Sequence, residues 1–290
     1  MRVVIGTRGS RLALVQAHWV EAELRRLQFE PEVKIIRTKG DVVKDRFDKM
    51  EGKGFFTKEI EDALIEREID VAVHCLKDLP TAGTPGLALS AIPVREDARD
   101  VVISRKPLSQ GKFGPVLDGL TVGTSSNRRV AGLQEHAPTA IFSPIRGNVP
   151  RRIEKMVQGE VDVVVLAQAG LNRLGLDLSK YQVQTLEPEF LVPAPGQGAL
   201  ALQVRAGQEE ILRVLHHEET ARCTSAERKI LAYLEGGCQL PLGVYVHPWK
   251  TGYRMFLYLG DIQKKRAGRR LLLEASSPED LVEKALSELH

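Results

Sequence analysis

The sequence predicts an α/β protein: two similar α/β domains joined through a hinge, followed by a small α+β domain. Three observations lead there. Val/Ile-rich runs at 69–73 and 161–165 each follow an amphipathic helical stretch, as strands covered on both faces of a parallel sheet do. The order strand, Gly-Thr turn, hydroxyl residue, helix occurs twice, at 3–24 and at 120–133. From about residue 218 the pattern changes to helix, loop and strands of antiparallel type.

The first strand is Val3-Val4-Ile5, and the turn Gly6-Thr7-Arg8-Gly9-Ser10 leads into a helix whose expected apolar face is Leu12, Val15, Trp19 and Leu24. Ser10 is placed to cap that helix. Leu120-Thr121-Val122 followed by Gly123-Thr124-Ser125-Ser126-Asn127-Arg128-Arg129 repeats the arrangement. The helix at 58–66 feeds the strand at 69–73, and the helix at 151–157 feeds the strand at 161–165. Two matched pairs in one order indicate an internal duplication. The segment Pro193-Ala194-Pro195-Gly196-Gln197-Gly198 reads as the hinge, and 199–204 as a strand returning to the first domain. Then come a helix at 220–234, a cysteine loop, strands at 253–258 and 270–274, and a last helix at 278–289 with an acidic first turn. The expected domains are 1–96 with about 197–214, 100–192, and 217–290.

A chain of 290 residues with 43% hydrophobic and 27% charged residues has the composition of a globular protein. No stretch approaches the ~18 apolar residues of a membrane span, and the N-terminal residues enter a strand without a signal-peptide pattern, so a cytoplasmic protein is expected. A net charge of +3 carries no global field for nucleic acid. Cys75, Cys223 and Cys238 are odd in number and have no Cys-x-x-Cys spacing, which argues against a disulfide framework and a zinc site. His216-His217 has no partner at ligand spacing, and no metal is expected.

The chemistry gathers at strand ends. The turns carrying Arg8 and Ser10 and carrying Ser125, Ser126, Arg128 and Arg129 open helices, where free N–H groups and the helix dipole favour an anion. Arginine adds a fork matched to a carboxylate or phosphate. Neither turn has a nucleotide-binding glycine pattern, so the two together predict an anionic ligand held in an interdomain cleft. Arg146, Arg152 and Arg173 stand at further glycine-containing turns. Lys77 and Asp78 leave the strand at 69–73, where a carboxylate held ionised by cations can move a proton or stabilise a cation. His74 reads as structural and Cys75 as packing. Gly52-Lys53-Gly54-Phe55-Phe56 is a loop able to carry a cation and an aromatic ring over a ligand. Cys238, after two glycines and three residues before Pro241, lies in a loop that a large group can approach, which marks it as a covalent attachment point.

IGTRGSRLALVQA, TKGD, GKGFFTKE, DVAVHCLKDLP, VGTSSNRR, RGNVPRR, LAQAGLNRLGL, PAPGQGAL and LEGGCQLP occur in order between residues 5 and about 245. The set closely resembles the hydroxymethylbilane synthase (porphobilinogen deaminase) family. The resemblance implies two periplasmic-binding-protein-like α/β domains with a hinge, plus a small C-terminal domain, in a monomeric transferase. It further implies head-to-tail condensation of four porphobilinogen molecules into hydroxymethylbilane, with release of ammonia, in tetrapyrrole (haem) biosynthesis. A dipyrromethane cofactor attached to Cys238 is implied, with Asp78 as the catalytic carboxylate. Lys77, Ser125, Ser126, Arg128, Arg129 and Arg146 then fall on cofactor-binding positions. Arg8, Ser10, Arg146, Arg152, Arg173 and Gln197 fall on substrate-binding ones, and Lys53 and Phe56 on an active-site loop. Two departures stand out: Cys75 where the family commonly has serine, and Asn127 where a leucine is usual. The competing reading is a non-catalytic two-domain clamp for a small anion. The Cys238 loop separates the two, because a non-covalent receptor does not need it.

Overall fold

The computed structural model describes residues 1–38, 57–112, 114–234, 240–261 and 267–289. Its strands are β1 (Arg2–Thr7), β2 (Glu30–Ile35), β3 (Val71–Cys75), β4 (Leu87–Ala91), β5 (Asp100–Ser104), β6 (Thr121–Gly123) and β7 (Ile141–Ser143). They continue with β8 (Val163–Ala167), β9 (Gln182–Leu186), β10 (Leu200–Arg205), β11 (Leu242–Trp249), β12 (Gly252–Leu259) and β13 (Arg269–Ala275). The helices are α1 (Arg11–Arg26), α2 (Lys58–Ile65), α3 (Asn127–Gln134), α4 (Val149–Val157), α5 (Gln168–Leu174), α6 (Glu218–Tyr233) and α7 (Pro278–Leu289). Two compact units result, Met1–Arg95 with Ala199–Ala221, and Glu96–Gly198 with Arg222–His290.

The first unit holds a sheet of order β2-β1-β3-β10-β4, and the second a sheet of order β7-β6-β8-β5-β9. The orders are equivalent strand for strand. In each sheet the central strand is parallel to the two beside it on one side. The fourth strand, β10 or β5, runs antiparallel to both of its neighbours. This corrects the expectation of parallel sheets. A continuous apolar run records burial on both faces and carries no information about direction. In the first sheet Val3, Ile5, Val71 and Val73 pack under α1, while Ile69 and Ala72 pack against Ile60 and Leu64 of α2.

The duplication extends to single atoms. Asp70 accepts from Val4 N (2.9 Å) and its own N–H donates to Val4 O (2.8 Å). Asp162 does the same with Thr121 N (2.8 Å) and O (2.9 Å). Gly6 and Gly123 face the residues just before these aspartates, and a β-carbon at either would meet Ile69 or Val161 at 2.2 or 3.0 Å. The helix caps match too: Ser10 Oγ accepts from Ala13 N (3.3 Å), and Ser126 Oγ from Arg129 N (3.4 Å).

The expected face of α1 holds at Leu24 and fails at Trp19. α1 buries Gln16, Ala17, Val20 and Leu24, and Trp19 is 41% exposed. Residues 17, 20 and 24 satisfy the helical period as well as 12, 15 and 19 do, and Ala17 lets the helix approach the sheet closely, which Trp19 would prevent.

In the second unit α6 and α7 cover one face of the antiparallel sheet β11-β12-β13. Ile230, Val244, Val246, Met255, Leu257 and Leu281 fill the core between them. Among the described residues no helix is long and apolar enough to cross a membrane.

Candidate functional site

In the first unit β1 and β3 are adjacent and parallel, so the residues following each emerge at the same sheet edge. After β1 comes the turn with half-buried Arg8 and the Ser10 cap. After β3 the chain enters a single 3-10 turn, Leu76–Asp78. Leu76 is fully buried and donates its N–H to Ala199 O at 3.0 Å. That anchor leaves Lys77 half-buried and Asp78 exposed at the edge. Cys75, expected to be simple packing, is half-buried and meets the Gln16 amide, Nε2 to Sγ at 3.3 Å. This 3% exposed glutamine on α1 could not be paired with Cys75 by sequence reasoning, because the two lie 59 positions apart.

His74 lies under this edge, 5% exposed, with Nε2 3.1 Å from Gln203 Oε1, and Gln203 donates on to Glu61 (2.9 Å). Burial pushes the imidazole down to about 4, against the opposing bond to Gln203. It is a neutral structural histidine at ordinary pH, as the sequence reading held.

In the second unit the corresponding edge is built from the start of α3 and the start of β5. Arg128 and Arg129 are 4% and 6% exposed, and Asp100 is 0% exposed. Arg128 donates to Asp100 Oδ2 (2.6 Å) and Val192 O (2.8 Å). Arg129 donates to Asp100 Oδ1 through Nε (3.1 Å) and Nη2 (2.7 Å), and to Val165 O (2.8 Å). The Gln197 amide also donates to Asp100 Oδ1 (3.0 Å), and to Ala98 O (2.7 Å). Burial would raise the Asp100 carboxyl; the charges of both arginines overcome that and hold it well below the usual carboxylate range. Burial in turn lowers Arg129. Removing one partner of such a buried set leaves an uncompensated charge, typically at a cost of about 3–5 kcal/mol.

Arg152 adds a third guanidinium to this edge. Its Nε donates to Gly147 O (2.8 Å), and burial together with the charge of Arg129 holds it down to about 10. A guanidinium lowered in this way is one that an anion would stabilise. Arg128 Nε is buried and has no hydrogen-bond partner among the described residues. Two guanidinium groups thus face one carboxylate at Asp100, and the guanidinium charge there exceeds the carboxylate charge. Ser125 Oγ donates to Ile145 O (2.8 Å), tying the α3 turn to the turn that carries half-buried Arg146. Gly147, at φ +112, turns the chain into the Asn148 cap of α4, where Asn148 Oδ1 accepts from Arg151 N (3.0 Å). Arg173 on α5 donates to Gly198 O (2.6 Å).

The segment 193–198 is largely buried. Gly196 N donates to buried Glu227 on α6 (2.7 Å), and a β-carbon at Gly198 would lie 2.4 Å from Glu96 O. Sequence reasoning missed Asp100 and Glu227. The one signal for Asp100 was a charge heading an apolar strand. Cys238, Lys53 and Phe56 lie outside the described residues.

Residues 3–213 match the family model described as porphobilinogen deaminase, dipyromethane cofactor binding domain, and residues 221–289 match porphobilinogen deaminase, C-terminal domain. A porphobilinogen deaminase from Gloeobacter violaceus is 47% identical over 250 residues, covering 84% of this chain and 76% of that protein. A probable porphobilinogen deaminase from Methanocella arvoryzae is 44% identical over 244 residues, covering 83% and 78%. The solved BenM effector binding domain with benzoate gives a TM-score of 0.44 at 17% identity over 81% of this chain and 93% of that one. That likeness is too distant to bear on the chemistry.

Proposed function

The chain belongs to the porphobilinogen deaminase family, and on that premise we propose that it is a hydroxymethylbilane synthase, condensing four porphobilinogen molecules head to tail with release of ammonia. The observation that carries the reading is the surplus of buried guanidinium charge around Asp100, with Arg152 held down to about 10. Every porphobilinogen ring bears two carboxylates, and a growing chain of such rings needs many separate cationic forks.

The described residues fit a dipyrromethane, whose acetate and propionate groups match the donors of Arg128, Arg129 and Arg152. Attached to Cys238, that group supplies the free pyrrole ring from which the product grows. Arg128 and Arg129, oriented by Asp100, bind its carboxylates together with Lys77, Arg146 and the Ser125 and Ser126 turn. Arg8, Ser10, Arg152 and Arg173 bind the carboxylates of incoming substrate, while Gln197 acts through its bond to Asp100. Asp78 is the catalytic carboxylate: exposed at the sheet edge, it assists departure of the protonated substrate amine and holds the positive charge left on the substrate ring. It then accepts the ring proton released on coupling. Lys53 and Phe56 belong to a loop over the site.

We assign three domains, 1–96 with about 197–214, 100–192, and 217–290, one to each sheet among the described residues, the last two lying largely within one compact unit. The chain works as a monomer in the cytoplasm.

The test is the mass of the purified protein, with a peptide map, alongside an assay for ammonia and hydroxymethylbilane. The expected result is a dipyrromethane increment on Cys238 and turnover of porphobilinogen. A bare polypeptide that stays bare and releases no ammonia after porphobilinogen is added would return the chain to the anion-clamp reading.

A further inference from the structure

Glu135 closes the carboxyl end of α3, and the sequence reading assigned it nothing. Four hydrogen bonds from the C-terminal sheet converge on its carboxylate. Tyr258 Oη and Gly268 N donate to Oε1 at 2.8 Å each. Arg270 donates to Oε2 through Nε (3.2 Å) and Nη2 (3.1 Å), and its guanidinium lies 4.6 Å over the Tyr258 ring. Tyr258 is 1% exposed. The neighbouring packing is glycine-dependent. A β-carbon at Gly260 would lie 2.8 Å from Ala131, one at Gly268 2.4 Å from the Tyr258 ring, and one at Gly243 2.6 Å from Val192 O. Glycine allows such approach without directing it, whereas charge-assisted bonds to both carboxylate oxygens fix an orientation.

Glu135 lies six residues after Arg129 on a helix whose first turn bears Arg128 and Arg129. On the sheet side, Gly260 N donates to Pro241 O at 2.9 Å, so the residue entering β11 is held beside Ala131 of α3. Cys238 precedes Pro241 by three positions, a span of at most about 11 Å. We propose that Glu135 is a positioning residue that locks the C-terminal sheet onto α3 and so holds Pro241, three positions along the chain from the proposed attachment residue Cys238, beside the helix that bears Arg128 and Arg129. The inference rests on the proposed function for its chemistry. It goes beyond that function in naming what holds the entry to β11 against the helix of the paired arginines.

The test compares Glu135→Ala, Glu135→Gln and Tyr258→Phe with Arg254→Ala. The last removes a pair with Glu274 and a stack on Trp249 elsewhere on the same sheet. Apo-protein is given porphobilinogen, adduct formation is timed by intact mass, and backbone hydrogen exchange is followed at residues 240–243 and 267–270. Glu135→Ala should slow adduct formation about ten-fold, the usual consequence of losing a charge-assisted hydrogen bond. Glu135→Gln and Tyr258→Phe should fall between it and wild type, and Arg254→Ala should match wild type. Exchange at both segments should rise together in the Glu135 variants. Turnover per adduct-bearing molecule should stay within about two-fold of wild type, since no group touching substrate has changed. Adduct formation at the wild-type rate in Glu135→Ala, or equal slowing in Arg254→Ala, overturns the proposal. A wild-type protein that never acquires an adduct instead defeats the proposed function, and the exchange data then decide whether Glu135 locks the sheet.

Discussion

The two α/β halves share one scaffold and use their carboxylates in opposite ways. Register makes the comparison residue by residue. Cys75 pairs with Leu200 and Ala167 with Asp100, so Leu200 and Asp100 hold the same place on the fourth strand. Three residues beyond Cys75 is Asp78, exposed; three beyond Ala167 is Gly170, buried. The first half thus displays a carboxylate where the second has none. The second buries a carboxylate, paired to Arg128 and Arg129, where the first has a leucine. A duplicated edge with the same caps and strand ends displays a carboxylate on one side and an oriented cation cluster on the other. The backbone offers the position, and the burial of one charge decides its use.

Removing the displayed carboxylate should have the largest effect. Asp78→Asn keeps the shape of the turn and loses ionisation, and kcat should drop roughly 10²–10⁴-fold while the adduct stays. Activity within a few-fold of wild type would make Asp78 a turn residue and erase the contrast.

Asp100→Leu copies the first half into the second. It strands two buried guanidinium groups, so unfolding stability should fall by about 3–5 kcal/mol, and the purified protein should be mainly without adduct. Denaturant unfolding with intact mass reads both quantities; a variant as stable and as fully loaded as wild type would show that the arginines orient themselves.

The next substitution runs the other way, because His74 in the first half corresponds to Leu166 in the second. Burial lowers the folded-state pKa of His74 to about 4 from its ordinary 6.5. The stability it contributes is therefore present above about pH 6.5 and is lost as pH falls toward 4, amounting to roughly 2 kcal/mol at pH 5. Melting followed from pH 7 to 5 should show this acid loss in wild type and a flatter profile in His74→Leu. An unchanged slope would place the acid sensitivity elsewhere.

The smallest effect concerns Arg152, whose lowering to about 10 implies a cost of keeping it charged in the folded protein below that pH. Arg152→Gln should stabilise protein lacking bound carboxylates by roughly 1 kcal/mol while weakening substrate binding about ten-fold. A variant that lost stability and kept its KM would remove Arg152 from the anion site.

Much was legible in the amino-acid sequence. The Ser10 and Ser126 caps, the Gly-Thr turns, the apolar strands and the internal repeat are encoded within a few residues of where they act, by capping bonds, glycine sterics and periodicity. The ordered motifs carried the family. Tertiary structure decided the rest. α1 turned Trp19 outward and buried Ala17, because both stripes satisfy the period and only packing against the sheet chooses between them. The fourth strands run antiparallel, since a buried apolar run looks alike in either direction. Asp100 meets Arg128 across 28 residues and Glu135 meets Arg270 across 135. A lone charge beside an apolar run has no local signature of its partner. Such pairs come into being only when the chain has brought distant segments together and excluded the water that would otherwise separate them.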